Sequence, residues 1–166
     1  MAKNESARYK VRQRLFSIGD DFWIENQSGQ KVFKVDGKAL RIRKTLHFED
    51  ANGKLLCKLQ ERLLTIKDTM AIQDPEGEQL ALVKKALFAP LGDRWDVNVR
   101  GGPDLVVQGN IVDHEYAINK GHTKIAEISK KWFSVADIYG VDIVPGEDNI
   151  LILAVAIAID MMAHDD

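Results

Sequence analysis

Ile150-Leu151-Ile152-Leu153-Ala154-Val155-Ala156-Ile157-Ala158-Ile159 is an unbroken apolar run close to the end of this 166-residue chain. Asp148-Asn149 precedes it and Asp160-Met161-Met162-Ala163 follows. Read as a helix, the run is apolar on every side, so protein or lipid must enclose it completely. A helix over about 148–163 would be roughly 24 Å long at 1.5 Å per residue. A bilayer core needs about 30 Å, or about 20 apolar residues. Asp160 falls within the last turns, and the flanks are acidic where a span favours Lys and Arg. The run therefore reads as a buried core helix, not a transmembrane one, with Asp148 or Asn149 as its N-cap. The rest of the chain has to supply the container.

Composition narrows the classes. One domain is the default for this length, expected over residues 9–166 behind a short frayed N-terminus at 1–8. Apolar residues are 45% and charged residues 29% of the chain, the balance of a globular protein. A net charge of -2 gives no basic field for nucleic acid. The single Cys57 excludes an intramolecular disulfide and a cysteine-based metal cage, and points to a reducing compartment. Met1 to Arg8 is polar and has no secretory apolar stretch, so a cytoplasmic location is expected.

Before the apolar run, the chain alternates strands with turns. Asn26-Gln-Ser-Gly29, Asp50-Ala-Asn-Gly53, Asp74-Pro-Glu-Gly77 and Arg100-Gly-Gly-Pro103 are turn signals, and Gly29, Gly53, Gly77 and Gly101 stand 24 residues apart. Between them lie alternating stretches such as Lys31-Val-Phe-Lys-Val35 and Trp95-Asp-Val-Asn-Val99, which face a core on one side and water on the other. Basic-apolar corners keep the same period: Arg14-Leu-Phe-Ser17, Lys38-Ala-Leu-Arg41 and Arg62-Leu-Leu-Thr65, with Lys85-Ala-Leu-Phe88 one residue early and Lys131-Trp-Phe-Ser134 near the end. The repeat corresponds to two strands and two connections, and five units give ten to twelve strands.

A propeller blade would need about 40 residues. A solenoid leaves the apolar helix unexplained, and a sandwich fits only the strand spacing. A closed antiparallel β-barrel removes the sheet edges and has a lumen for the helix. At about twelve strands that lumen is too wide for side chains alone to fill. The expected fold is thus mainly β: a barrel of about 12 strands enclosing a hydrophobic C-terminal α-helix, with Ala154, Ala156 and Ala158 allowing close approach.

Four segments carry a family resemblance. They are Arg14-Leu-Phe-Ser-Ile-Gly-Asp-Asp-Phe22, Gly29-Gln-Lys-Val-Phe-Lys-Val-Asp-Gly37, Ile128-Ser-Lys-Lys-Trp-Phe-Ser134, and Asp137-Ile-Tyr-Gly-Val-Asp-Ile143 running into Gly146-Glu-Asp148. In this order the chain resembles the LURP-one-related family, of the Tubby C-terminal-like superfamily that also holds phospholipid scramblases, from about Tyr9 to His164. The resemblance implies a twelve-stranded barrel around a central helix and no catalytic activity. It also implies kinship with tubby proteins, which bind phosphoinositide headgroups through basic residues, and with plant proteins associated with defence. This chain lacks a proline-rich extension, an acylation cysteine cluster and an EF-hand-type calcium loop, so scramblase activity is not carried over. No local motif aligns the tubby headgroup residues, and none is transferred.

Catalytic chemistry finds little footing. His47, His114, His122 and His164 show no metal-ligand spacing. His114-Glu115 would point to opposite sides of a strand and not converge. Asp20-Asp21 reads as a turn, and Glu147-Asp148 as acids at a helix N-terminus. No phosphate loop, nucleophile elbow or dinucleotide fingerprint is present, so no enzyme, cofactor or metal is expected. Asp160 is expected at the barrel mouth in water, the alternative being a basic partner.

The basic residues carry the functional slope. Arg41 and Arg43 share one strand face with His47, while Lys84-Lys85 and Lys130-Lys131 sit at corners beside Leu87-Phe88 and Trp132-Phe133. Cations with adjacent aromatics suit anionic headgroups, at about 1 kcal/mol per charge near a membrane surface. The same charges also serve simply to solvate outward faces. Two functions stand: a peripheral module binding anionic membrane lipids through Arg41, Arg43, Lys84, Lys85, Lys130 and Lys131, or a protein-interaction or stress-related scaffold without lipid binding. An enzyme or small-ligand carrier conflicts with an occupied lumen unless a cavity of several hundred Å³ remains.

Overall fold

The 24-residue period has a local cause at three hairpins. Asn26 Oδ1 accepts the amides of Ser28 and Gln30, each at 3.0 Å. Asp50 Oδ1 does the same for Asn52 and Lys54, each at 2.9 Å. Asp74 Oδ1 does so for Glu76 at 3.0 Å and Glu78 at 2.9 Å. In each loop the closing glycine takes positive φ, +79° at Gly29, +85° at Gly53 and +94° at Gly77. A Cβ disfavours that region. One side-chain acceptor and one glycine thus specify the same reversal three times.

A computed structural model describes residues 6–12, 21–36, 45–61, 69–87, 89, 92–133 and 138–164. Twelve strands form a closed barrel: β1 (Ala7–Arg12), β2 (Phe22–Glu25), β3 (Lys31–Asp36), β4 (Thr45–Asp50), β5 (Leu55–Glu61), β6 (Thr69–Gln73), β7 (Gln79–Lys85), β8 (Asp93–Val99), β9 (Leu105–Asn110), β10 (Glu115–Lys120), β11 (Thr123–Ser129) and β12 (Ile138–Ile143). Each pairs antiparallel with its sequence neighbours, and β12 closes on β1 with Tyr9 opposite Val141. β1 starts at Ala7, opposite Ile143, so Ala7 and Arg8 belong to the strand and not to a frayed terminus.

Helix α1 (Asn149–His164) runs through the lumen. Asp148 caps it: its Oδ1 accepts the Leu151 amide at 3.1 Å and its carbonyl the Ile152 amide at 3.1 Å. Every residue from Ile152 to Met162 is buried, packed against inward side chains such as Val35, Phe48, Leu59, Val83, Trp95 and Val107. Small alanines let α1 approach the strands closely, most of all β5, β6, β7 and β12.

Strand alternation gives the barrel two unlike ends. The loops after β2, β4, β6, β8 and β10 gather with the start of α1 at one end, here the turn end. β1, β3, β5, β7, β9 and β11 end at the other, here the connection end, where α1 also finishes. The corners beginning at Arg14, Lys38 and Arg62 lie outside the described residues.

Candidate functional site

Four of the six basic residues singled out from the sequence, Lys84, Lys85, Lys130 and Lys131, are described, and all four belong to segments at the connection end. Lys84 and Lys85 end β7. Lys84 stands opposite Thr69 and Asp96 on the outward side, whereas Lys85 shares the inward register of Trp95, with its Nζ 5.8 Å from that ring. Lys130 and Lys131 follow β11. None of these four ammonium groups is ion-paired with a described carboxylate. Arg41 and Arg43 lie outside the described residues; the flanking strands β3 and β4 end and begin at this barrel end, at Asp36 and Thr45. The large apolar side chains exposed among the described residues are Leu87 and Val112, in the β7–β8 and β9–β10 connections of the same end. Acids are present too: Asp96 bonds Arg94 at 3.1 Å, and the Glu115 carboxylate accepts bonds from the Ser129 hydroxyl and the Lys130 amide.

The aromatic neighbours behave differently from the lysines. Trp132 and Phe133 fold onto the outer wall over Gly140, where a Cβ would collide with both rings. The Arg8 guanidinium lies 4.4 Å from the Trp132 ring and Lys10 Nζ 5.4 Å from that of Phe133. Arg8 in turn bonds Asp142 at 3.1 Å. The Lys-Lys-Trp-Phe and Ile-Tyr-Gly-Val-Asp segments are therefore two halves of one packing arrangement. These rings already have an apolar seat.

Beneath the connection end lies a buried polar cluster. Asp160 is 2% exposed, so the expectation of a solvated carboxylate at the mouth is wrong. Its Oδ1 lies 2.8 Å from His114 Nε2, and its Oδ2 accepts the Tyr139 hydroxyl at 3.3 Å. The His114 ring stacks on Tyr139 with centroids 4.4 Å apart. Burial, and then the Asp160 carboxylate, push the Tyr139 and Tyr116 hydroxyls well above the usual phenol range. The basic partner of Asp160 is thus a histidine from the β9–β10 connection, held at φ 51°. His114 and Glu115 point apart, the first into the core and the second to Ser129. Buried hydrogen-bonded pairs of this kind are costly to break but modest in net stabilisation. The cluster ties the last turns of α1 to the β9–β10 connection and to β12.

The helix leaves no through-lumen. Among the described residues, no group of three or more His, Cys, Asp or Glu side chains could hold a metal ion, and no helix is long and apolar enough to cross a membrane. A cleft of about 320 Å³ does remain beside the first turn of α1, at the turn end. Its walls are mainly apolar.

The sequence pattern of the LURP-one-related family matches residues 7–160. The uncharacterized protein YxjI of Bacillus subtilis strain 168 is 27% identical over 156 residues, which is 94% of this chain and 93% of that protein. The X-ray structure of a protein from Arabidopsis thaliana has a similar fold, with a TM-score of 0.73 at 17% identity, covering 97% of this chain and 93% of the other.

Proposed function

The chain belongs to the LURP-one-related family, and from that premise we propose that it is a non-catalytic module whose connection end binds anionic phospholipid headgroups at a membrane surface. The observation that supports this reading is that Lys84 and Lys85, ending β7, and Lys130 and Lys131, four strands further round after β11, lie at one barrel end without ion-pair partners among the described residues, and that Leu87 and Val112 are exposed at that end. Four such charges contribute about 4 kcal/mol near an anionic surface, roughly a thousandfold in partitioning. Shallow insertion of Leu87 and Val112 adds to it. Arg41 and Arg43 belong to the proposed headgroup-binding set from the sequence alone and lie outside the described residues. Trp132 and Phe133 do not, since their rings pack against the barrel wall. The occupied lumen supports the non-catalytic part. In this reading the protein works in the cytoplasm, peripheral to the membrane.

Flotation with vesicles of neutral lipid, alone or with 30% (about one anionic lipid in three) phosphatidylserine, tests it. The expected result is salt-sensitive recovery with the anionic vesicles only, lost in a Lys84→Glu/Lys130→Glu/Lys131→Glu variant that melts normally. Equal recovery with both vesicle types overturns the reading and leaves a scaffold that binds protein partners.

A further inference from the structure

We propose that the turn end holds a second, separate site: a cleft for a small amphiphile, with an aliphatic body over the first turn of α1 and a carboxylate head on Arg100. Protein interiors are close-packed, and unfilled volume is rare. Here a surface cleft of about 320 Å³ opens beside Ile150 and Leu151, with a smaller one of about 130 Å³ on the other side of Leu151, while Ile152 to Met162 are buried. The larger is close to the lower bound of small-molecule sites, roughly 300 Å³.

Local structure accounts for the opening. Register shifts leave Leu56 without a cross-strand partner between Leu55 and Cys57, and Leu80 likewise between Gln79 and Ala81. Such bulges re-aim side chains at barrel rims. Both leucines, 24 residues apart, become walls of the cleft together with Val99, Ile150 and Leu151, all only partly buried. Cys57 and Ile72 form the floor and are buried. Burial, and then the Asp148 carboxylate, push the Cys57 thiol up to about 12. Water there would find few partners, whereas a hydrocarbon chain needs none.

The rim supplies the head-group chemistry. The Arg100 amide is anchored to the Leu80 carbonyl at 2.9 Å, which holds the residue over the cleft. Its guanidinium is half exposed and meets Glu78 only at 3.8 Å, beyond hydrogen-bonding distance. That ion pair is long and exposed, so a ligand carboxylate in the cleft would compete with Glu78 by offering the fork the bidentate geometry it lacks there. Asp148 faces it across the rim, but that carboxylate is engaged by the Leu151 amide and sits on the positive end of the helix dipole. Next door, Lys120 and Glu147 satisfy one another at 2.8 and 2.9 Å.

Calorimetric titration of the full chain with octanoate, octanol and octylamine tests the assignment. Octanoate is expected to bind with a millimolar or tighter constant, octanol about tenfold more weakly, and octylamine not at all. Arg100→Gln should weaken octanoate about tenfold and leave octanol unchanged. Leu80→Trp should abolish both while circular dichroism shows an intact barrel; Ile150→Phe fills the cleft from the helix side should that variant not fold. No binding by any of the three compounds overturns the proposal. Tighter binding of octylamine overturns the head-group assignment, and octanoate binding indifferent to Arg100→Gln does the same. Charge reversal at Lys84, Lys130 and Lys131 leaves this site untouched, so its failure and that of the membrane reading are distinguishable.

Discussion

The two ends of the barrel are made from the same strands and obey different rules. At the turn end, Asn26, Asp50 and Asp74 each close a loop by the same pair of amide bonds, with a glycine at the same offset. At the connection end, Lys85, Lys131, Leu87 and Val112 are exposed above a buried His114–Asp160 pair. Three loops of the turn end close on themselves through local bonds, whereas the buried pair under the connection end joins residues 46 positions apart. The repeat is strictest in the glycines of the local turns, and looser in the basic-apolar corners, where Lys85 comes one residue early.

The sharpest test of that contrast places a charge where no long-range partner exists. Ala156→Asp, on a helix position 1% exposed, buries a carboxylate with nothing built to receive it. The expected cost exceeds about 5 kcal/mol, comparable with the stability of a whole domain, so the variant should show no cooperative thermal transition. A melt unchanged from the parent would refute the enclosed helix. One turn on, Asp160 is tolerated because His114 and Tyr139 receive it. Asp160→Ala and His114→Ala should each cost about 3–5 kcal/mol in denaturant unfolding. The double variant should cost less than their sum by about 0.5–3 kcal/mol. Strict additivity would mean that the pair is incidental.

Alkaline titration compares the ends directly, since each buries acids in their neutral form. For Cys57 the folded-state value of about 12 lies above the ordinary 9.0. Its stabilising contribution is thus complete below about pH 9 and is lost as pH rises towards 12, by up to about 4 kcal/mol. Tyr116 and Tyr139, raised above 10.0, lose theirs in the same direction but from about pH 10 upward. Thermal melts against pH should show the earlier decline vanish in Cys57→Ala and the later one persist. An unchanged profile would show that the thiol is not protected in the native barrel.

The same division explains what could be read from the chain. The helix was legible because ten consecutive apolar residues leave it nowhere to go but inside. The hairpins were legible because each turn's acceptor and glycine lie within one short segment. His114 and Asp160 are separated by 46 positions, and no spacing rule joins them. The lone acid in an apolar helix signalled that a partner was needed, not which one. Trp132 and Phe133 looked available for docking because Gly140, whose missing side chain makes room for them, lies on the next strand. Gly140→Ala should displace both rings at about 1–3 kcal/mol and alter tryptophan emission. Unaltered emission would show that the rings do not depend on that space.

The smallest expected effects belong to the turn end, and their equality is what matters. Asn26→Ala, Asp50→Ala and Asp74→Ala each remove an acceptor of two amide bonds at an exposed loop. Each should lower stability by about 1 kcal/mol, because water re-solvates the freed amides. Asp104→Ala is the control at the fourth turn. Its Oδ1 takes the Val99 amide and its Oδ2 the Asn98 side chain, so it ties the loop to β8 and not to itself. Three matching losses, with Asp104→Ala departing from them, would show that the 24-residue period is a period of turn energetics. Three unequal losses would show that the glycines and the strand pattern carry the period, and that the shared acceptor is secondary.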